Sequence, residues 1–183
     1  MYGMVNRALQ ELLVKEHGES TWHRIKDEAG VDLEEFSSMA SYDDKITYDL
    51  AIAASKVLEA PLDQLLDAFG RYWVEFAKAS SYAILLEQAG KDLHEILPML
   101  NELHTRLALS FPELQPPSFE VLEDTPEHIL LQYDTFRPAL APFVVGLLHG
   151  LAGMVGTPIE VDHVQAKGDE HDADVFKIRF VSA

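Results

Sequence analysis

The sequence predicts an α+β protein: a helical N-terminal part packed on a C-terminal four-stranded antiparallel sheet that one helix crosses. Three observations carry this. Apolar residues recur three and four apart through about the first 110 positions, the spacing of amphipathic helices. Pro112, Pro116 and Pro117 then break that periodicity. Beyond them, short runs rich in β-branched and aromatic residues alternate with turn residues, interrupted by one apolar stretch of helical length.

Element by element, Tyr2 to His17 carries Val5, Leu9, Leu12 and Leu13 on one side and stops before Gly18. Ser20 reads as the cap of a second helix ending near Ala29, with Trp22 and Ile25 inward. Tyr42 to Leu58 gives a third. Pro61 opens a fourth at its favoured first-turn position, with Leu62, Leu65, Leu66, Phe69 and Trp73 at helical spacing. A short helix, Ser80 to Gln88, ends at Gly90, and a sixth follows with a kink expected at Pro98. Ser118 to Leu122 and His128 to Thr135 read as strands joined by a turn at Glu123 to Pro126. Leu140 to Val155 returns to helix, and Pro158 to Gln165 with Val175 to Val181 reads as a hairpin. No repeat or linker divides the chain, so 1–183 is expected to be one domain, with 1–62 as a helical subdomain and 63–183 carrying the site.

Composition limits the function. Apolar content of 48% is that of a globular chain with a sizeable core. A net charge of −17, from 31 acidic and 14 basic residues, argues against nucleic acid and anionic membranes. With no cysteine, disulfides, thiolate-ligated haem, iron–sulfur clusters and Cys-zinc sites are excluded. The first ten residues lack the pattern of a signal peptide, and the charge-free stretch Pro138 to Thr157 is weakened by four glycines, so a cytoplasmic protein is expected.

Two constellations carry chemistry. His104 interrupts an apolar stripe of Leu93, Ile96, Leu97, Leu100, Leu103 and Leu107. An unpartnered imidazole there would cost on the order of 1–3 kcal/mol to bury. On helical environment alone, a core histidine bonded to a backbone carbonyl is the simplest account. Tyr133, Thr135 and Arg137 share one face if their segment is extended, offering two hydroxyls and a planar fork suited to a carboxylate. Taken alone, that trio is simply a strand end with a surface arginine. Together, a neutral nitrogen ligand and a carboxylate clamp point to a bound haem, with iron on the histidine and propionates on the clamp.

The other polar residues read as scaffold. His163 and His171, with Asp162, Asp172 and Asp174, offer zinc-like ligand types at no common spacing, so a solvated acidic loop is expected. His149 reads as a packed, hydrogen-bonded core histidine, and Asp43-Asp44 and Glu34-Glu35 as capping and solvation.

These residues, with Met1-Tyr2-Gly3-Met4-Val5-Asn6, Ala68-Phe69-Gly70-Arg71-Tyr72-Trp73, Pro116-Pro117 and Gly146-Leu147-Leu148-His149-Gly150, resemble the H-NOX family of haem nitric oxide/oxygen-binding domains, in its stand-alone bacterial form. That family includes the sensor domain of soluble guanylate cyclase. The resemblance spans essentially the whole chain and implies the H-NOX fold. It implies haem b, ferrous iron protoporphyrin IX, with His104 as the metal ligand. Tyr133, Thr135 and Arg137 would hold the propionates, Thr135 replacing the family's serine in Tyr-x-Ser-x-Arg. Pro117 would press on the macrocycle, with Met4 and Leu148 as further cofactor contacts.

The ligand pocket expected from the resemblance comprises Trp73, Val5, Leu9 and Pro142. Members that retain oxygen place a tyrosine five positions after the clamp arginine, and here that position is Pro142, which has no side-chain donor. The expectation is a sensor selective for nitric oxide, binding carbon monoxide too but forming no stable oxygen complex. Nitric oxide would weaken or break the His104–iron bond, and the domain, without turnover of its own, would signal to a separate histidine kinase, cyclic-di-nucleotide enzyme or cyclase. The alternatives are a haem-free small-molecule-binding or scaffold domain, and a haem enzyme handling nitric oxide or oxygen.

Overall fold

A computed structural model describes residues 1–80, 83–168 and 170–181. Its helices are α1 (Gly3–His17), α2 (Glu19–Ala29), α3 (Asp44–Leu58), α4 (Leu62–Ala79), α5 (Ala83–Ala89), α6 (Leu93–Ala108) and α7 (Ala141–Val155). Its strands are β1 (Ser118–Asp124), β2 (His128–Asp134), β3 (Ile159–Gln165) and β4 (Asp174–Phe180). The predicted α+β architecture is the one observed.

The helical starts show where local chemistry differs from the expectation. Gly18, at φ 81°, turns the chain between α1 and α2, and its carbonyl accepts from Thr21 and Trp22 N–H groups. The second helix therefore begins at Glu19 with Ser20 inside it, not capping it. Asp43 caps α3 through the Lys45 N–H, and Pro61 sits at the cap of α4, one position before the helix. The expected short helix is described as α5; Ser81 and Tyr82, inside the expected span, lie outside the described residues. Pro98 lies within α6, where the His94 carbonyl lacks its helical donor. No described helix is long and apolar enough to cross a membrane.

The sheet runs β1-β2-β4-β3, antiparallel at each step. Thus β3 runs parallel to β2 with β4 between them, and α7 is the crossover that links them. Ile129 pairs with Ile178 and Leu131 with Phe176, so the buried residues of β2 and β4 form one apolar face. That face packs on Leu93, Ile96 and Leu97 of α6 and on Val144, Leu148 and Leu151 of α7. A second cluster, including Leu9, Trp22, Ile25 and Leu50, fills the space between α1, α2 and α3.

Helix α4 belongs to both clusters: Leu65, Leu66 and Phe69 enter the helical one, and Val74 enters the one under the sheet. It crosses α7 with backbones almost in contact. A Cβ on Gly70 would lie 2.1 Å from the Phe143 carbonyl oxygen, and one on Gly146 would lie 1.9 Å from that of Asp67. Neither backbone atom can rotate aside as a side chain would. Gly146→Ala is therefore expected to destabilise the protein by about 2 kcal/mol or more, through overpacking. Gly153, with nothing within 4 Å of a Cβ, should gain about 0.5–1 kcal/mol as alanine from helix propensity. Urea denaturation of the two variants checks this opposite pair of signs.

Candidate functional site

Between α6 and the α4–α7 pair lies an apolar cavity of about 260 Å³. Leu100, Leu103, His104 and Leu107 reach it from α6, and Pro116, Pro117 and Phe119 from the segment leading into β1. Met4 and Val5 of α1, Trp73 and Phe76 of α4, and Phe143 and Leu147 of α7 line the rest. Tyr133, Thr135 and Arg137 close one end. The two constellations noted in the sequence thus meet at one cavity.

His104 is half-buried, with its ring stacked on that of Phe119 at 6.0 Å and 17°. Its Nδ1 is buried with no hydrogen-bond partner, so a histidine satisfied by a backbone carbonyl is not what the structure contains. Burial lowers its pKa, which leaves a neutral imidazole with a lone pair at neutral pH.

Alternation along β2 buries Ile129, Leu131 and Tyr133, and the pattern continues one step past the strand to Thr135. Burial, foremost, pushes the Tyr133 phenol up to about 12, keeping it an O–H group. Thr135 Oγ1 accepts the Arg137 backbone N–H at 3.2 Å. The Arg137 guanidinium is already bonded: Nε donates to Asp44 at 2.7 Å, and Nη1 donates to the Gln115 carbonyl at 2.7 Å. A longer contact of 3.5 Å joins Nη2 to Asp44. Of its five N–H groups, two remain for another acceptor. Tyr48 adds a second tie from α3, donating to the Pro138 carbonyl at 2.8 Å.

Asp44 is one residue whose role the sequence does not mark. Asp43 does cap its helix, but Asp44 forms an ion pair with Arg137 and also accepts from the Met1 amino group. Burial pushes its carboxyl up; the bonds and charges of those two cations outweigh this and leave the pKa lowered.

Pro142 and Leu9, expected in the ligand pocket, and Leu148, expected as a cofactor contact, do not line the cavity. Helix α7 begins at Ala141, after a turn in which Ala139 takes φ 59°. Val144, Leu147 and Leu151 then line the cavity together with Leu140 before the helix, and Pro142, two positions before Val144 and so about 200° round the helix from it, is not among the lining residues. The α7 aromatic that lines the cavity is Phe143, tilted against Phe69 at 5.2 Å. Leu148 is fully buried under the sheet, and Leu9 is fully buried in the helical cluster. Trp73 does line the cavity, its ring stacked on Phe76 at 5.8 Å and edge-on to Phe69.

Away from the cavity, His163 bonds Asp174 at 2.8 Å and stacks on Phe176, and Asp169 of that loop lies outside the described residues. Among the described residues no three His, Asp or Glu side chains are placed to hold a metal ion.

The lowered His104 pKa has a measurable sign. The unfolded chain protonates His104 near 6.5, whereas the folded chain holds it neutral, so its contribution to stability is present above 6.5 and lost as pH falls. Urea denaturation of the haem-free protein at pH 7.5 and about 5.5 should show a smaller acid-induced loss in His104→Leu than in wild type. Equal losses would contradict a neutral, half-buried His104.

Comparison with known proteins adds three findings. A family model described as Haem-NO-binding matches residues 2–163. Soluble guanylate cyclase gcy-31 of Caenorhabditis elegans is 26% identical over 152 residues, covering 83% of this chain and 22% of that protein. The chain spans about a quarter or less of the first curated relatives it matches, from 22% to 25%. Among solved structures, an H-NOX protein from S. oneidensis in the Fe(II)NO ligation state superposes with a TM-score of 0.88 at 18% identity, over 100% of both chains. An oxygen-binding H-NOX domain related to soluble guanylate cyclases superposes with a TM-score of 0.80 at 18% identity, over 100% of this chain and 96% of that one.

Proposed function

This chain belongs to the Haem-NO-binding family, and from that premise we propose that it is a ferrous haem-b sensor selective for nitric oxide, with His104 as the iron ligand. The residues present fit the group. His104 brings a neutral nitrogen to an apolar cavity, Pro117 lies along its wall, and Tyr133, Thr135 and the two spare N–H groups of Arg137 suit propionates at its end.

The observation that carries the reading is the unpaired Nδ1 of His104. Bound haem supplies an iron that takes a diatomic gas and whose bond to histidine nitric oxide weakens. Histidine ligands ordinarily donate their second ring N–H to a carboxylate or carbonyl, which raises their basicity and fixes their orientation. With iron on Nε2, His104 would have neither benefit, because its Nδ1 is unpartnered, and would be a weak, readily displaced ligand. Its displacement would release the hold of α6 on the cofactor. Such a release signals only because the two arrangements differ in affinity for the gas.

Selectivity is read from the α1 and α7 sides of the wall; on the α4 side, Trp73 brings an indole N–H to the same cavity. Met4, Val5, Phe143 and Leu147 present no N–H or O–H. Carbon monoxide and nitric oxide bind ferrous iron without such a donor, whereas retained oxygen gathers charge that needs one. Phe143 thus stands on the wall where Pro142 was expected. The output lies with a partner of the histidine-kinase, cyclic-di-nucleotide-enzyme or cyclase class, as the family resemblance implies, and the sensor domain performs no turnover itself.

The absorption spectrum of ferrous protein loaded with haem tests this directly. The Soret band should move on adding nitric oxide and stay put in air. Absence of haem uptake would favour an apolar small-molecule binder, a reading consistent with the Arg137 fork being held by Asp44. His104→Gly should lose the native ferrous spectrum and regain it with added imidazole; a spectrum unchanged by the substitution would remove His104 from the site. Phe143→Tyr should prolong oxygen retention by about tenfold or more, the scale of one charge-assisted hydrogen bond. Stopped-flow oxygen release reads that change, and an unaltered rate in a folded variant would contradict the assignment of the wall.

A further inference from the structure

One turn of α6 grips a single residue of the sheet in two ways. Asn101 Nδ2 donates to the Phe119 carbonyl at 2.7 Å, and Asn101 Oδ1 accepts the Phe119 N–H at 3.0 Å. The Asn101 amide therefore meets that peptide unit as a neighbouring strand would. Three positions on, His104 lies stacked on the ring of the same Phe119. That ring is 7% exposed and also meets Tyr133 at 5.3 Å, so it cannot move without disturbing the end of the clamp.

The rest of the α6 attachment is of another kind. Leu93, Ile96, Leu97 and Leu100 bury apolar surface against the sheet, an attraction that is strong but non-directional and tolerates sliding and rotation. The paired amide bonds are directional, and they act one helical turn, roughly 4.5 Å of rise, from the ligating side chain.

We propose that Asn101 is a positioning residue for His104: by holding both backbone groups of Phe119, it fixes the tilt and distance of the His104 turn against β1. The inference rests on the reading of His104 as the haem ligand. It gives Asn101 a specific task. A His104 ring that lacks its own hydrogen bond takes its orientation from the helix and from the Phe119 ring, and Asn101 fixes those two relative to each other.

Three variants test this. Asn101→Ala removes both bonds while keeping a strong helix former at an exposed position. Asn101→Asp keeps the acceptor and loses the donor. Glu102→Ala, which removes only an exposed pair with Arg106 on the same helix, is the control. In haem-free protein, hydrogen exchange at the Phe119 amide should quicken by about tenfold or more in Asn101→Ala, as loss of two bonds predicts. The His104 ring resonances should move with it in Asn101→Ala and in Asn101→Asp, where a carboxylate oxygen would face the Phe119 carbonyl, and not in Glu102→Ala. In ferrous haem-loaded protein the iron–histidine stretching band should shift in the same two variants. Unchanged Phe119 exchange, or unmoved His104 resonances, in Asn101→Ala would overturn the proposal. A faster Phe119 exchange with an unmoved iron–histidine band would also overturn it, because a merely structural role does only the first. Failure of wild-type protein to take up haem would instead overturn the sensor reading, and the haem-free measurements would still decide the role of Asn101.

Discussion

The close crossing of α4 and α7 is the constraint on which the rest of the molecule depends. Gly70 and Gly146 remove the side chains that would hold the two helices apart, so Phe143 and Asp67 carbonyls sit where Cβ atoms would otherwise be. Because α4 contributes to both apolar clusters, this contact ties the helical layer to the layer under the sheet. It also fixes Trp73 and Phe76 of one helix relative to Phe143 and Leu147 of the other. One wall of the cavity is therefore a rigid unit set by backbone contact.

The other wall is held differently. Helix α6 lies on the sheet through apolar burial and the Asn101 amide, and its C-terminal half carries a histidine with an unsatisfied nitrogen. The third boundary is ionic: Arg137 reaches from beyond β2 to Asp44 at the start of α3. Arg137 and Asp44 side chains are only 13% and 27% exposed, so the pair is less screened than a surface bridge. A cavity bounded by one stiff wall, one adjustable wall and one ionic closure suits a ligand whose arrival changes one contact and leaves the others standing.

Much of this was legible in the sequence, for reasons that also mark where legibility ends. His104 stood out because a polar residue broke a strict apolar period, and Tyr133, Thr135 and Arg137 because strand alternation carried them to one face. Pro142 was misplaced because counting from Arg137 cannot see the left-handed Ala139 turn or where α7 starts, and a one-residue offset rotates a helical side chain by about 100°. Leu9 and Leu148 lie on the right helices but on the margins that face the cores, a distinction that apolar character does not encode. Asp44 and Asn101 were unreadable for a common reason. Each is a polar residue on an accessible helix position, and its partner lies 93 or 18 residues away. Local patterning assigns such residues to solvent.

The Asn101 amide also bears on how copies of this chain behave toward each other. β1 is a free edge of the sheet, and an open edge invites pairing with a strand of another molecule. At Phe119 that invitation is already taken up by α6, while the opposite edge, β3, carries Glu160 and Asp162 beside Arg179. Loss of the Asn101 bonds would uncover the Phe119 peptide. The two hydrogen bonds that tie α6 to β1 therefore also cover that part of the edge.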